Sequence, residues 1–267
     1  MSDGLPSFGY AGAFVPSRSR KKRKGKGGVR SVQPSVLMDR TMEEIATGDW
    51  LQQCKEYVKD CLDTLQIKSP EVLSLGLGSP VLSRDARAQL AFLLAVCDGL
   101  SIDRTSVSIY DPVFTDEDID LLDTLRVTRL TEDKRAAYRL RAPTLVFMPH
   151  CDVQLYENLL RENWSQAGLP NLVLIANRLS EYADNVPTRK LSVEHPCVWR
   201  LTVARYLAAR ALPICPAYPT AFNNTSIQYA RVSDIGGVGD EWWELPLAHA
   251  PGAANFADAR RERDLPS

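Results

Sequence analysis

Short apolar runs alternate along this chain with longer stretches in which apolar residues recur every three or four positions. The runs are Val72-Leu73-Ser74-Leu75, Val107–Tyr110, residues 127–130, Thr144–Met148, residues 172–176 and a last one around 227–232. Each is too short for a helix and reads as a strand, the best of them as strands of a sheet buried on both faces. Between them, Leu51, Cys54, Val58, Cys61 and Leu65 recur at helical spacing, and Thr41 followed by Glu44 offers a capping box, which predicts one helix from Thr41 to about Leu65. Ser83 is placed to cap a second helix with Leu90, Leu93, Leu94, Cys97 and Leu100 on its inner face. The acidic stretch 116–123 predicts a short helix, residues 152–164 another that buries Leu155, Tyr156, Leu159 and Leu160, and residues 198–211 a further one. Pro213, Pro216 and Pro219 then interrupt the chain. Strands alternating with helices predict an α/β domain, a Rossmann-like, doubly wound and mostly parallel sheet in a three-layer arrangement.

Residues 1–40 lack any apolar period and are rich in Gly, Ser, Pro and basic side chains, so they read as a disordered basic tail ahead of a domain at 41–247, with a polar C-terminal tail at 248–267. The net charge of −1 over 267 residues conceals this division. Residues 1–30 carry eight Lys or Arg and one acid, a charge of +7, which leaves −8 for the remainder. An acidic body is a poor surface for a nucleic-acid backbone, so nucleic-acid contact is expected only through the basic tail at 18–30. The cluster at 20–24 reads either as a nuclear-import signal or nucleic-acid arm, or as a solvated charge run.

No apolar stretch is long enough to span a membrane, and the N-terminus lacks the order of a signal peptide, so the expected location is cytoplasmic and nuclear. Six cysteines without CxxC spacing imply buried thiols rather than a disulfide framework, and no metal site is expected.

Three strand ends carry the candidate chemistry, because open α/β sheets bind ligands beyond the carboxyl ends of their strands. After the first strand, Gly76 and Gly78 let the backbone approach an anionic or nucleotide-like ligand at the start of the next helix, with Ser79 beside them; the alternative is a tight turn without a ligand. Asp111 ends the second strand, where an acid can accept hydrogen bonds from ribose hydroxyls of a nucleotide or S-adenosylmethionine; the alternative is an Asp-Pro turn. His150 and Cys151 follow the strand that a 3-2-1-4-5 order sets beside the Gly turn. His150 there is either a proton-transfer or ligand-orienting group or a residue that bonds a neighbouring loop. Trp242 and Trp243 either pack on the sheet edge or anchor a partner.

Taken together, Gly76-Leu77-Gly78-Ser79, Ile109-Tyr110-Asp111-Pro112-Val113-Phe114, Phe147-Met148-Pro149-His150-Cys151, Leu155-Tyr156-Glu157-Asn158-Leu159-Leu160 and Ala221-Phe222-Asn223-Asn224-Thr225-Ser226 resemble the sensitivity-to-red-light-reduced (SRR-like) domain family. The resemblance covers most of residues 50–235. It implies an intracellular regulatory protein with protein partners not yet identified, acting in circadian clock input, clock-gene expression and regulation of haem biosynthesis. It brings no catalytic residues with it. Through the haem link it draws attention to Cys215-Pro216, since a thiolate in such a dipeptide can ligate haem iron. The alternative reading is an enzyme, an S-adenosylmethionine-dependent methyltransferase using the Gly76, Gly78, Asp111 and His150 crevice.

Overall fold

The computed structural model describes residues 32–246; the basic cluster at 20–24 and the C-terminal stretch 248–267 lie outside the described residues. One seven-stranded sheet runs through the domain: β1 (Glu71–Leu75), β2 (Val107–Tyr110), β3 (Thr128–Arg129), β4 (Thr144–Met148), β5 (Leu172–Asn177), β6 (Leu207–Ala211) and β7 (Thr225–Ala230). Their order is β3-β2-β1-β4-β5-β7-β6. The first five strands are parallel, in the expected 3-2-1-4-5 order. β7 pairs antiparallel to β5, with Asn177 opposite Thr225, and β6 pairs antiparallel to β7, so the sheet is mixed.

Helices cover both faces. On one side lie α1 (Pro34–Ala46), α2 (Trp50–Thr64), α3 (Arg84–Gly99) and α4 (Asp116–Thr124), whose apolar residues join Val72, Ile109, Phe147 and Ile175 of the sheet. On the other lie α5 (Val153–Glu162), α6 (Ser180–Asn185), α7 (Thr188–Glu194), α8 (Pro196–Val203) and the single turn α9 (Val232–Ile235), packed on Leu73, Val146, Met148 and Leu174. The result is the three-layer α/β arrangement. Successive residues of one strand enter opposite cores, because side chains alternate across a sheet.

The capping chemistry decides where several helices begin. Ser83 accepts the Ala86 N–H to start α3, Asp152 accepts the Gln154 N–H to start α5, and Thr115 with Asp118 forms a full capping box on α4. α3 is buried on every side from Ala88 to Cys97, not only on one face, because α1 and α2 cover it from outside. A helix apolar all round is a buried helix. Its one interior polar residue, Gln89, donates to the Ala221 carbonyl at 2.8 Å.

Three elements differ from expectation. The first helix is two helices: Pro34 at the first turn starts α1, Thr47 leaves it in extended backbone, and Gly48, at φ +78°, turns the chain toward α2. Residues 34–40, assigned to the tail on composition, are therefore helical, and Thr41 sits mid-helix with its hydroxyl bonded back to the Leu37 carbonyl at 2.8 Å instead of capping. Residues 198–211 divide as well. α8 stops at Val203, Arg205 turns through φ +57°, and Leu207-Ala208-Ala209-Arg210-Ala211 pairs with β7. Alanine-rich sequence favours helix locally, but the free edge of β7 supplies main-chain partners that override the propensity. The last strand begins at Thr225, two residues before the predicted start.

The second core contains a buried carboxylate. Glu157, 1% exposed, accepts the Cys197 and Val198 N–H groups at 2.9 and 3.1 Å, so it caps the start of α8, and it pairs with Arg161 at 3.2 Å. Replacing Glu157 with Ala leaves the N–H groups and Arg161 without their partner and is expected to cost about 3–5 kcal/mol, read from urea unfolding. His195, at the α7–α8 junction, is buried, and burial holds its imidazole below the ordinary value while Glu157, Glu194 and Asp152 oppose the shift. The unfolded chain therefore takes up a proton first as pH falls below about 6.5, so native stability decreases there. Urea melts at pH 7 and pH 5.5 should show that decrease in the natural protein and a smaller one in His195→Gln.

Candidate functional site

The carboxyl ends of β1, β2 and β4 meet at one rim, and the turn after β1 crosses it. Gly76 and Gly78 both adopt left-handed backbone, at φ +69° and +77°. A Cβ on Gly76 would stand 2.5 Å from the Cys151 sulfur, so glycine is required there for close approach as well as for its φ. The Gly78 N–H donates to Asp111 Oδ2 at 2.7 Å, and the other oxygen of Asp111 accepts the Val113 N–H at 2.9 Å. Asp111 is 8% exposed. The structure thus brings Gly76, Gly78 and Asp111 together across the 33 residues between Gly78 and Asp111, and it directs the carboxylate at the turn itself.

Ser79 belongs to a second cluster. Its hydroxyl donates to Asp118 Oδ1 at 2.9 Å and accepts the Leu82 N–H at 3.1 Å. Asp118 is 0% exposed and accepts four donors: Ser79 Oγ and the Val81 N–H on one oxygen, the Thr115 N–H and Thr115 Oγ1 on the other. Neutral donors therefore satisfy both oxygens of a buried carboxyl group, and the start of α4 is tied to the loop entering α3. Sequence reasoning passed over Asp118 as a rim residue. The available signal was the Thr115-x-x-Asp118 spacing, which announces a carboxylate facing its own helix terminus.

His150 is exposed and left-handed, at φ +56°. Its N–H donates to Asn177 Oδ1 at 2.8 Å, and its ring Nε2 lies 3.1 Å from the Ala221 carbonyl, which a protonated Nε2 satisfies. The side chain thus joins the end of β4 to the loop before β7. Cys151 turns inward: its thiol donates to the Leu75 carbonyl at 3.5 Å, and burial, with the charges of Asp111 and Asp152 adding to it, pushes the thiol up to about 12. A thiol so protonated is a packing group rather than a nucleophile. Tyr156 completes this corner, donating to the Met148 carbonyl at 2.7 Å and accepting the Cys151 N–H at 3.2 Å.

Cys215 lies in the loop between β6 and β7, 2% exposed, beside a cavity of about 460 Å³ lined by Ile45, Trp50, Arg84 and Pro216. Burial raises its pKa, the direction away from the thiolate that ligates iron. Among the described residues, no group of three or more His, Cys, Asp or Glu is placed to hold a metal ion, and no helix is long and apolar enough to cross a membrane. Trp242 packs against the domain, stacked on Trp164 with ring centroids 4.5 Å apart.

The fold and rim define a three-layer α/β domain whose strand-end polar groups bind one another and fix the loops they come from. The chain belongs to the SRR1 domain family, whose family model matches residues 51–229. It is 32% identical to the mouse SRR1-like protein over 128 residues, 48% of this chain and 51% of the relative. It is 28% identical over 137 residues to the Arabidopsis thaliana protein SENSITIVITY TO RED LIGHT REDUCED 1, covering 45% of this chain and 50% of the relative. A Drosophila melanogaster SRR1-like protein is 27% identical over 149 residues, 56% of this chain and 52% of the relative. The chain spans about half the length of the curated relatives it matches. No solved structure matches it.

Gly76→Ala should destabilise the protein twice over, by about 1–2 kcal/mol for the left-handed backbone and by about 1–3 kcal/mol for the crowding against Cys151. In the double variant with Cys151→Ala the crowding disappears and the backbone cost stays, so denaturation midpoints of the two singles and the double should be clearly non-additive.

Proposed function

We propose that this protein is a regulatory member of the SRR1 family that acts through protein partners rather than by turnover, in the cytoplasm and the nucleus. Its proposed settings are those the resemblance implies, circadian clock input with clock-gene expression and the regulation of haem biosynthesis; the Arabidopsis relative is named for sensitivity to red light. The observation that carries the non-catalytic reading is the state of the rim carboxylates: every oxygen of Asp111 and Asp118 already accepts an N–H or O–H of the chain. General acid–base work requires a group within reach of a substrate proton, and nucleophilic work an activated thiol or hydroxyl. Cys151 is held protonated, Ser79 is 7% exposed and donates to an Asp118 whose oxygens already accept three other donors, and His150 faces a main-chain carbonyl. Haem regulation is proposed here at the level of partner contacts, with no step through iron held by Cys215.

A second reading, the S-adenosylmethionine-dependent methyltransferase-like enzyme, is favoured by one feature. The Gly turn, Asp111 and His150 stand around the β1–β4 switch point, the place where doubly wound sheets bind nucleotide-like ligands. Asp111 would then have to exchange its bond to Gly78 for one to a ribose hydroxyl. A thermal-shift panel with S-adenosylmethionine, NAD and ATP at millimolar concentration separates the two readings, since a ligand at 100 times its Kd adds about 2.7 kcal/mol of stability. The regulatory reading expects no shift from any of them. A shift that disappears in Asp111→Asn would favour the enzyme.

A further inference from the structure

A short segment beyond the family-matched residues 51–229 lies across α5 and α8. It comprises the single turn α10 (Asp240–Trp243) and the residues up to Pro246. Two arginines hold it. Arg200 Nη1 donates to the carbonyls of Trp242 and Glu244 at 2.5 and 2.7 Å, and Arg161 Nη1 donates to the carbonyl of Pro246 at 2.7 Å. The Trp164 indole N–H reaches the same Trp242 carbonyl at 3.3 Å. Trp242 fills an aromatic slot, stacked on Trp164 and meeting Tyr206 edge-on at 5.4 Å and 79°.

Two properties of this contact are those of a peptide-binding groove. Among the described residues, these hydrogen bonds from the groove all end on main-chain carbonyls of the segment, so the polar grip does not depend on which side chains the segment carries; the aromatic contacts read Trp242 and, through Trp164, Trp243. Part of the groove is also held by contacts outside the segment. Arg161 stands one helical turn after Glu157 and pairs with it, while Glu157 holds the first N–H groups of α8, the helix that carries Arg200. An arginine already fixed by a buried carboxylate loses little freedom when a peptide carbonyl meets it. The charges are of opposite sign too: the segment carries Asp240, Glu241 and Glu244, and the groove carries Arg161 and Arg200.

We infer that the groove of Arg161, Trp164, Arg200 and Tyr206 is a docking site for an acidic peptide bearing a tryptophan, and that residues 240–246 of this chain occupy it in cis. A partner segment of that chemistry displaces the chain's own, so the groove is available in proportion to how often the segment lifts off. This inference stands on the face opposite α1–α3 and is independent of whether the rim binds a ligand.

The test uses full-length protein and a fluorescent synthetic peptide with the sequence of residues 238–246. Saturable binding is expected to Trp242→Ala, whose own segment has lost its anchor, and roughly tenfold or more weaker binding to the natural chain, where the cis segment competes. Binding should vanish when Arg200→Ala is added, and with a peptide in which both tryptophans are alanine. Should Trp242→Ala fail to give a cooperative melt, hydrogen exchange of the natural protein takes its place, with faster exchange across 240–246 expected in excess peptide. The inference is overturned if folded Trp242→Ala leaves the peptide unbound, if both proteins bind it equally, if the two variants only dimerise, or if exchange at 240–246 does not change.

Discussion

A buried carboxyl group has to have its oxygens met by donors, and Asp118 sets the shape of the rim by meeting that demand with neutral ones. Its two oxygens take hydrogen bonds from Ser79, Val81 and Thr115, so the loop leaving the Gly turn and the start of α4 are defined by one side chain. Asp111 repeats the arrangement one loop away, joining Gly78 to Val113. A buried acceptor left without donors is costly, so each of these loops is determined by the requirement that the acid be satisfied. The Gly turn can then stay tight enough for Cys151 to pack against Gly76, which draws the end of β4 to the end of β1.

The second core depends on the same physics. Glu157 joins α5 to α8 through the N–H groups of Cys197 and Val198, and through Arg161 it reaches the segment around Pro246. Asn163 does comparable work, accepting the Leu140 N–H and donating to the Tyr138 and Leu159 carbonyls. Glu157 lies within a motif that carries the family resemblance, and Asn163 follows shortly after it. Their contacts fasten irregular chain to the sheet, so the motif reports how loops are held as much as what the protein binds.

Much of the strand and helix content was legible because its causes are local. Val107–Tyr110 and Thr144–Met148 are apolar runs closed by an acid or a proline, and they occur where the pattern places them. Ser83 and Thr115 begin helices because their side chains reach N–H groups three residues on. Where local preference and tertiary demand disagreed, the pattern misled. Leu207–Ala211 has the composition of a helix, and only the unpaired edge of β7 makes it a strand. Thr41 and Glu44 have the spacing of a capping box, but Pro34 starts the helix earlier.

The candidate site divides along the same line. That Gly76, Gly78, Asp111 and His150 stand at strand ends follows from the order of residues alone, and a 3-2-1-4-5 order then gathers those ends at one rim, because strand boundaries and crossover rules act over short stretches of chain. Only the tertiary structure decided what those residues do there. Asp111 faces Gly78 from 33 residues away, His150 finds the carbonyl of Ala221 at a separation of 71, and Arg200 finds that of Glu244 at 44. A hydrogen bond between residues distant in sequence leaves no periodicity behind. It forms because the packed sheet brings donor and acceptor within reach of each other.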